Sequence, residues 1–426
     1  MGFRPLFQVR PRCRWLVASV CIAASSLGAP ADSTFAQGVP AEFSTPSYSD
    51  PPGTRVADLA VGDLNGDRRS DLVVGGHGDV TAPDDTSLLL AEANGRLSTA
   101  RSLFVGGSDA VAVSDVNGDG RNDIVRAPGG FEYNAYGDLV VLFGDGHGGF
   151  LARAETRIRC CVADLAATDL NADGKVDLVV VGSGGGRIFI GDGAGRFMRR
   201  PGRVGQDSST EIALAVTDLN QDHRPDVAIL HGAEEPHGLS LQFGDGRGGL
   251  SPPRSLPGDP VTAFAFGRFD RDRWPDLAAI RSDPFEENSR YYLRVFRGVG
   301  GGHLQRAGIF RLGRHRAGVI FSWQIVAADL NGDAKRDLAI AAPDRTVRVL
   351  RGTGRATFTV PQTVARCCTP YGELALGFFN RDRKPDLAAV APRGATVPGG
   401  YRELVAILIN KTRRAAPGGA ARRTPK

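Results

Sequence analysis

One nine-residue pattern recurs seven times and constrains everything else the chain can become. It reads DLNGDRRSD from Asp63, DVNGDGRND from Asp115, DLNADGKVD from Asp169 and DLNQDHRPD from Asp218. It continues as RFDRDRWPD from Arg268, DLNGDAKRD from Asp329 and FFNRDRKPD from Phe378. Successive starts lie 52, 54, 49, 50, 61 and 49 residues apart, and self-similarity at such a period marks a propeller or an array built from one supersecondary unit. A Gly-rich signature falls between the acidic stretches: GDGHGGF from Gly144, GDGAGRF from Gly191, GDGRGGL from Gly244, GVGGGHL from Gly298 and GTGRATF from Gly352, with AEANGRL from Ala91 as a weaker copy.

Each unit parses into four short strands. In the third, LAATDL enters the acidic stretch, DLVVV leaves it, RIFIG leads to the Gly-rich turn and FMRRPGRV follows. Short apolar or alternating runs bounded by Gly, Asn and Asp are strand signals, and 56 Gly and 26 Pro in 426 residues disfavour helix interiors. Four antiparallel strands per period of about 50 residues make one propeller blade. The expected fold is all-β, a single seven-bladed propeller over residues 37–410. The seventh unit reaches the C-terminal tail without a fourth strand, whereas EFSTPSYSDPPG (42–53) resembles one with no blade of its own. Phe43 to Ser49 is therefore expected to pair as the outer strand of blade seven and close the ring.

The acidic stretches read as cation loops. Side-chain oxygens at positions 1, 3, 5 and 9 and a backbone carbonyl at position 7 follow the alternation by which a chain coils around a hard ion. No His or Cys lies at ligand spacing for zinc or a soft metal. An Asp/Asn/Gly turn held by its own hydrogen bonds explains one copy, but three carboxylates a few ångströms apart repel unless a cation neutralises them. The expected ligands are Asp63, Asn65, Asp67, Arg69 and Asp71 in blade one, and Asp115, Asn117, Asp119, Arg121 and Asp123 in blade two. Asp169, Asn171, Asp173, Lys175 and Asp177 follow in blade three, Asp218, Asn220, Asp222, Arg224 and Asp226 in blade four, and Asp329, Asn331, Asp333, Lys335 and Asp337 in blade six. The basic residue in each set contributes only its carbonyl. Calcium is the expected ion, about five per chain. Arg268 and Phe378 replace the first Asp in blades five and seven, so both loops are expected to be empty, with Arg268 pairing to Asp270, Asp272 or Asp276 as an internal cation.

The sevenfold D-x-N-x-D-G-x-x-D pattern resembles the FG-GAP and VCBS repeats, the group that includes the integrin α-subunit head propeller, over roughly residues 40–410. The resemblance implies a seven-bladed propeller with structural calcium loops joining the first two strands of each blade on one face.

The opposite face is where a ligand is expected, because its loops are long and non-repeating. Aromatic candidates there are Phe131, Tyr133, Tyr136, Phe285, Tyr291, Tyr292 and Tyr401, which suit a glycan or protein ligand or else pack on their own blade. Cys160, Cys161, Cys367 and Cys368, in RCCVADL and RCCTPYG, point to the same face. Two adjacent-residue disulfides, one bridge across the axis, or thiols are the three readings.

At the N-terminus four Arg precede an apolar run from Trp15 to Leu27 and small residues follow, the form of a secretory signal over residues 1–36. No other segment approaches membrane length. The +5 formal charge belongs to the ends: residues 1–36 carry four Arg and one Asp, and the basic tail 411–426 carries six Lys or Arg and no acid. The body is left with 42 basic and 46 acidic residues, so nucleic acid is not an expected partner. The seven His show no spacing with a nucleophile or acid. A secreted or periplasmic, monomeric binding module is expected, with an extracellular polysaccharide lyase or hydrolase working in the central depression as the alternative.

Overall fold

The computed structural model describes residues 42–412, apart from 52–54, 78–84, 104–107, 129–135, 160–161, 183, 206–210, 233–237, 257–260, 282–289, 315–322, 370–372 and 393–402. The signal, most of the tail, Cys160, Cys161, Phe131, Tyr133, Phe285 and Tyr401 therefore lie outside the described residues. The described residues form seven antiparallel four-stranded sheets and no helix. Blade one comprises Arg55–Gly62, Asp71–His77, Asp85–Leu89 and Arg101–Ser102, from the inner strand outward, and the next five blades repeat that order.

The core is seven layers, one between each pair of neighbouring blades. Second strands such as Asp177–Gly182 are buried along their whole length, because successive side chains point to opposite faces and both faces meet another sheet. Val73 packs with Val111 and Ile124 of blade two, while its neighbours Leu72 and Val74 pack with Ala388 and Val390 of blade seven. That last layer joins the final blade to the first, so the sheets form a closed circle.

Blade seven has three strands from the C-terminal end, Leu374–Gly377, Asp386–Pro392 and Glu403–Leu408, and takes its outer strand, Ser47–Ser49, from the other end of the chain. Tyr48 pairs with Ala406, and Phe43 bridges Asn410. Backbone bonds continue from Ser44 N to Ile409 O at 2.8 Å and from Lys411 N to Glu42 O at 2.7 Å. Asn410, fully buried, donates from Nδ2 to Leu330 O of blade six at 2.7 Å and to Pro385 O at 3.0 Å, while its Oδ1 accepts Thr412 N at 3.0 Å.

The third strand of blade five, Arg290–Gly298, corrects one expectation. Its alternation turns Tyr291, Leu293 and Val295 into the layer against blade six, where Tyr291 is 5 % exposed with its ring 4.8 Å from that of Trp323. Tyr291 is a packing residue and does not face a ligand; Tyr292, half-buried, points the other way. Tyr136 opens the third strand of blade two, opposite Arg159. Cys367 and Cys368 are two buried thiols in the layer between blades six and seven, with sulfurs 3.5 Å apart and not bonded. Adjacent Cα atoms about 3.8 Å apart fall short of the usual disulfide span.

Two outcomes follow for stability. Replacing Asn410 with Ala strands two carbonyls and one N–H in the interior and should cost about 2–4 kcal/mol in urea unfolding; a loss below about 1 kcal/mol would show that the ring does not depend on this clasp. His231, 3 % exposed with Nε2 2.7 Å from Ser240 Oγ, is pushed down to about 4 by burial. The folded ring stays neutral where the unfolded one takes a proton, so its contribution is intact above about pH 6.5 and is lost as pH falls toward about 4. Between pH 7 and 4.5 the native chain should lose about 2 kcal/mol more stability than His231→Gln; parallel pH profiles would refute this assignment.

Candidate metal centres

All seven acidic loops connect an inner strand to a second strand, on one face of the ring, and each spans eight residues between strand ends. In the five complete loops the first Asp folds back over its own backbone. Asp63 Oδ1 accepts Gly66 N and Oδ2 accepts Arg68 N, both at 2.7 Å. Asp115 does the same for Gly118 and Gly120, and Asp329 for Gly332 and Ala334. Asn65 Oδ1 accepts Asp67 N at 3.1 Å, and Asp67 Oδ1 accepts Arg69 N at 2.8 Å. Gathering these donors coils the chain so that positions 4 and 6 become left-handed, including non-glycine Ala172, Gln221, His223 and Ala334. His223 is thus a turn residue whose N–H meets Asp218.

The two loops without a first Asp have another shape. Position 4 is not left-handed in either, and in blade five position 6 is not left-handed either. Arg268 is exposed and forms no ion pair with Asp270, Asp272 or Asp276, so the expected internal cation is not formed. Those three carboxylates nevertheless converge, with ligand atoms all within 4.8 Å of one another. Burial and the adjoining Asp270 raise the Asp272 carboxyl, against the Trp274 N–H that lowers it.

The ninth Asp of every loop is fully buried and does something that its place in a ligand pattern does not reveal. Asp71 Oδ2 accepts Leu64 N at 2.9 Å and Oδ1 accepts Ala91 N at 2.8 Å. Asp123 joins Val116 to Gly144, Asp177 joins Leu170 to Gly191, and Asp337 joins Leu330 to Gly352 in the same way. Each carboxylate ties the acidic loop to the turn after the third strand of its own blade. The signal for it was present: the Gly that begins most Gly-rich signatures is the residue bonded. At Gly191 a Cβ would sit 2.0 Å from Val176 O, so a close backbone approach demands glycine there; in blades one and seven, Ala91 and Asn410 hold the place.

The donors suit a hard divalent ion, being oxygen throughout. Burial first, then neighbouring Asp carboxylates, push Asp71 up to about 6 and Asp337 up to about 7, against the bonded N–H groups. A cation held by Asp329, Asn331, Asp333 and Asp337 would offset that repulsion. Asn331, 3 % exposed, accepts Asp333 N at Oδ1, the atom a cation would share, while its unpartnered Nδ2 is a donor that a cation does not satisfy. Part of the charge is met internally: Lys335 Nζ lies 3.1 Å from Asp333, and Arg69 pairs with Asp67.

Of the aromatic candidates, only Tyr291 and Tyr292 have described side chains, and they lie on opposite faces of one strand. A cleft of about 530 Å³ between blades three and four is lined by Arg203, Gln242, Leu250, Ser251 and Pro252 among others, with no aromatic ring.

The buried and exposed carboxylates of one loop should separate cleanly. In calcium-free buffer, Asp177→Ala should cost about 3 kcal/mol or more, because two buried N–H groups lose their acceptor. Asp173→Ala, at an exposed position, should cost less than about 1 kcal/mol. Equal costs in chemical denaturation would contradict the stapling role.

Comparison with known proteins agrees with this architecture. The FG-GAP-like repeat profile matches residues 63–126, 169–229 and 268–340. No curated protein sequence matches the chain. Among solved structures, BBS1N in complex with ARL6DN is similar at 13 % identity and a TM-score of 0.54, over 88 % of this chain and 98 % of that one. An Agrocybe aegerita lectin, described as recognising non-reducing terminal N-acetylglucosamine, is similar at 15 % identity and a TM-score of 0.48, over 85 % and 94 %. The Dos1 propeller is similar at 9 % identity and a TM-score of 0.48, over 86 % and 95 %. With seven blades, seven equivalent acidic loops and three profile matches along its length, the chain is an FG-GAP repeat β-propeller.

Proposed function

We propose that this propeller is an exported, calcium-stabilised binding module rather than an enzyme, and that it holds a glycan or protein ligand on the face opposite its acidic loops. One contrast carries the reading. The connections on the acidic face are eight residues long in all seven blades, whereas those between second and third strands on the opposite face range from three residues in blade six to ten in blade seven. A constant face suits a repeated structural task, and a variable face on a rigid support suits recognition. The oxygen donors of blades one, two, three, four and six, and buried carboxylates whose charge the chain meets only in part, favour calcium as the ion that stiffens the constant face. Extracellular calcium near millimolar concentration fills sites of about 10⁻⁴ to 10⁻³ M.

Calcium titration of the refolded mature chain should report five ions. A sixth would mean that the converging carboxylates of blade five also bind, and fewer than four would remove the basis of the proposal. Each site should add about 1.4 kcal/mol at ten times its Kd, seen as a fall in Tm on adding chelator. For the ligand, a glycan array run with and without calcium should give calcium-dependent binding that is lost when residues 393–402 are replaced by a short Gly/Ser turn. Binding unchanged by that replacement and by replacement of 129–135 would place recognition elsewhere.

A further inference from the structure

Edge strands differ sharply among the blades. The outer strand has two residues in blades one and four, three in blades three and seven and five in blade six, but ten in blade two (Phe150–Arg159) and eleven in blade five (Leu304–Arg314). Keeping an edge short is one way in which sheet proteins avoid unwanted pairing. Blade five lacks that protection: Leu304–Arg314 ends its sheet, with one row of backbone N–H and C=O groups turned away from its only strand partner.

Charge distinguishes the two long edges. In blade two, Arg153 lies 3.1 Å from Glu155 and Arg157 lies 3.7 Å from Asp138, so the edge is largely neutralised from within. The blade-five strand, LQRAGIFRLGR, has three Arg and no acid, and the strand beside it, RYYLRVFRG, also has three Arg and no acid. Arg306 and Arg311 are exposed and form no ion pair with any described residue.

A bulge brings these two arginines onto one face. Residues five apart in a regular strand point to opposite sides. Here the register shifts between Val295 and Phe296, so that Arg306 pairs with Phe296, Ile309 with Arg294 and Arg311 with Tyr292. Arg306, Ile309 and Arg311 therefore occupy three successive rows on one side, with Ile309 59 % exposed between the two charges, while Leu312 is buried on the other side in the layer against blade six.

The geometry points to this edge as a docking site for an extended acidic segment of a partner protein, which adds to blade five as a fifth strand. The segment carries acid, apolar and acid residues at alternate positions, facing Arg306, Ile309 and Arg311. Backbone bonds along the edge supply affinity and the side-chain rows supply register, with guanidinium forks suited to carboxylates. A second copy of this chain is a poor occupant, because antiparallel self-pairing sets arginine beside arginine. A polyanion such as an acidic polysaccharide or single-stranded nucleic acid would use the arginines alone and leave the backbone row unused. The site is on the rim and is independent of the ligand face proposed above.

The test uses the full mature chain and a fluorescein-labelled peptide with the repeat Thr-Glu-Thr-Val-Thr-Glu, followed by anisotropy. Two further peptides carry N-methyl groups, one on the Glu and Val residues and one on the Thr residues; only one of these sets faces the edge. The expected result is saturable binding of the parent, at least tenfold weaker binding of one methylated form and little change in the other. Arg306→Glu with Arg311→Glu should abolish binding and accept the Lys-for-Glu peptide, whereas Arg153→Glu with Arg157→Glu in blade two should change nothing. Thermal unfolding confirms that both variants fold. Equal binding of the two methylated peptides, competition by polyglucuronate or oligothymidylate, or no binding at about 1 mM peptide would each overturn the proposal.

Discussion

A buried carboxylate holding two backbone N–H groups is the interaction on which this propeller rests. The ninth Asp of each loop faces no bulk water, yet it binds the start of the acidic loop to the turn after the third strand. Two N–H groups that no ladder can reach are thereby satisfied, which a folded interior requires. Hydrogen bonds to a charged acceptor are stronger than neutral ones, but the charge is costly to bury. The raised carboxyls of Asp71, Asp226, Asp337 and Asp386 record that tension.

The two repeated signatures also lock neighbouring blades. Gly148 N of blade two donates to Leu64 O of blade one at 2.9 Å, Gly248 N of blade four to Leu170 O of blade three at 3.2 Å, and Ala356 N of blade six to Phe269 O of blade five at 2.8 Å. Asn122 Nδ2 reaches Asp63 O at 2.8 Å in the same region. A change in one acidic loop is therefore felt by the turn of the adjoining blade, so the constant face behaves as a continuous belt more than as seven separate turns.

The parts of the fold and of its acidic loops legible in the sequence are those that repeat. Seven acidic stretches at one period identified the blades, and a strand-like segment without a blade at residues 42–53 identified the closing strand. What did not repeat was harder to read. Tyr291 and Tyr292 are neighbours of equal chemistry, and only the pleat sends one into the core and leaves the other half-exposed. The pairing expected of Arg268 with its acidic neighbours failed because charge complementarity in a sequence does not specify where a long side chain points. Cys367 and Cys368 suggested a covalent link, but their sulfurs are accommodated among apolar neighbours between two blades. The role of the ninth Asp was harder to read for another reason: one of its two partners lies seven residues upstream and the other 14 to 24 downstream, and the glycine that begins the Gly-rich signature marks that second site without naming what its N–H meets.

The closing strand has a consequence for how the molecule is assembled in time. Residues 42–49 find their partners more than 350 positions later, at Val405 to Asn410. Contacts of such separation are slow to form because the intervening chain must first be brought to order. During synthesis residues 42–49 emerge before every strand they pair with, and their bonds to Val405–Asn410 can form only after the six preceding blades have been made. A chain cut short before Glu403 would leave Ser47–Ser49 without its partner strand, and the second strand of blade seven, Asp386–Pro392, unpaired along one side.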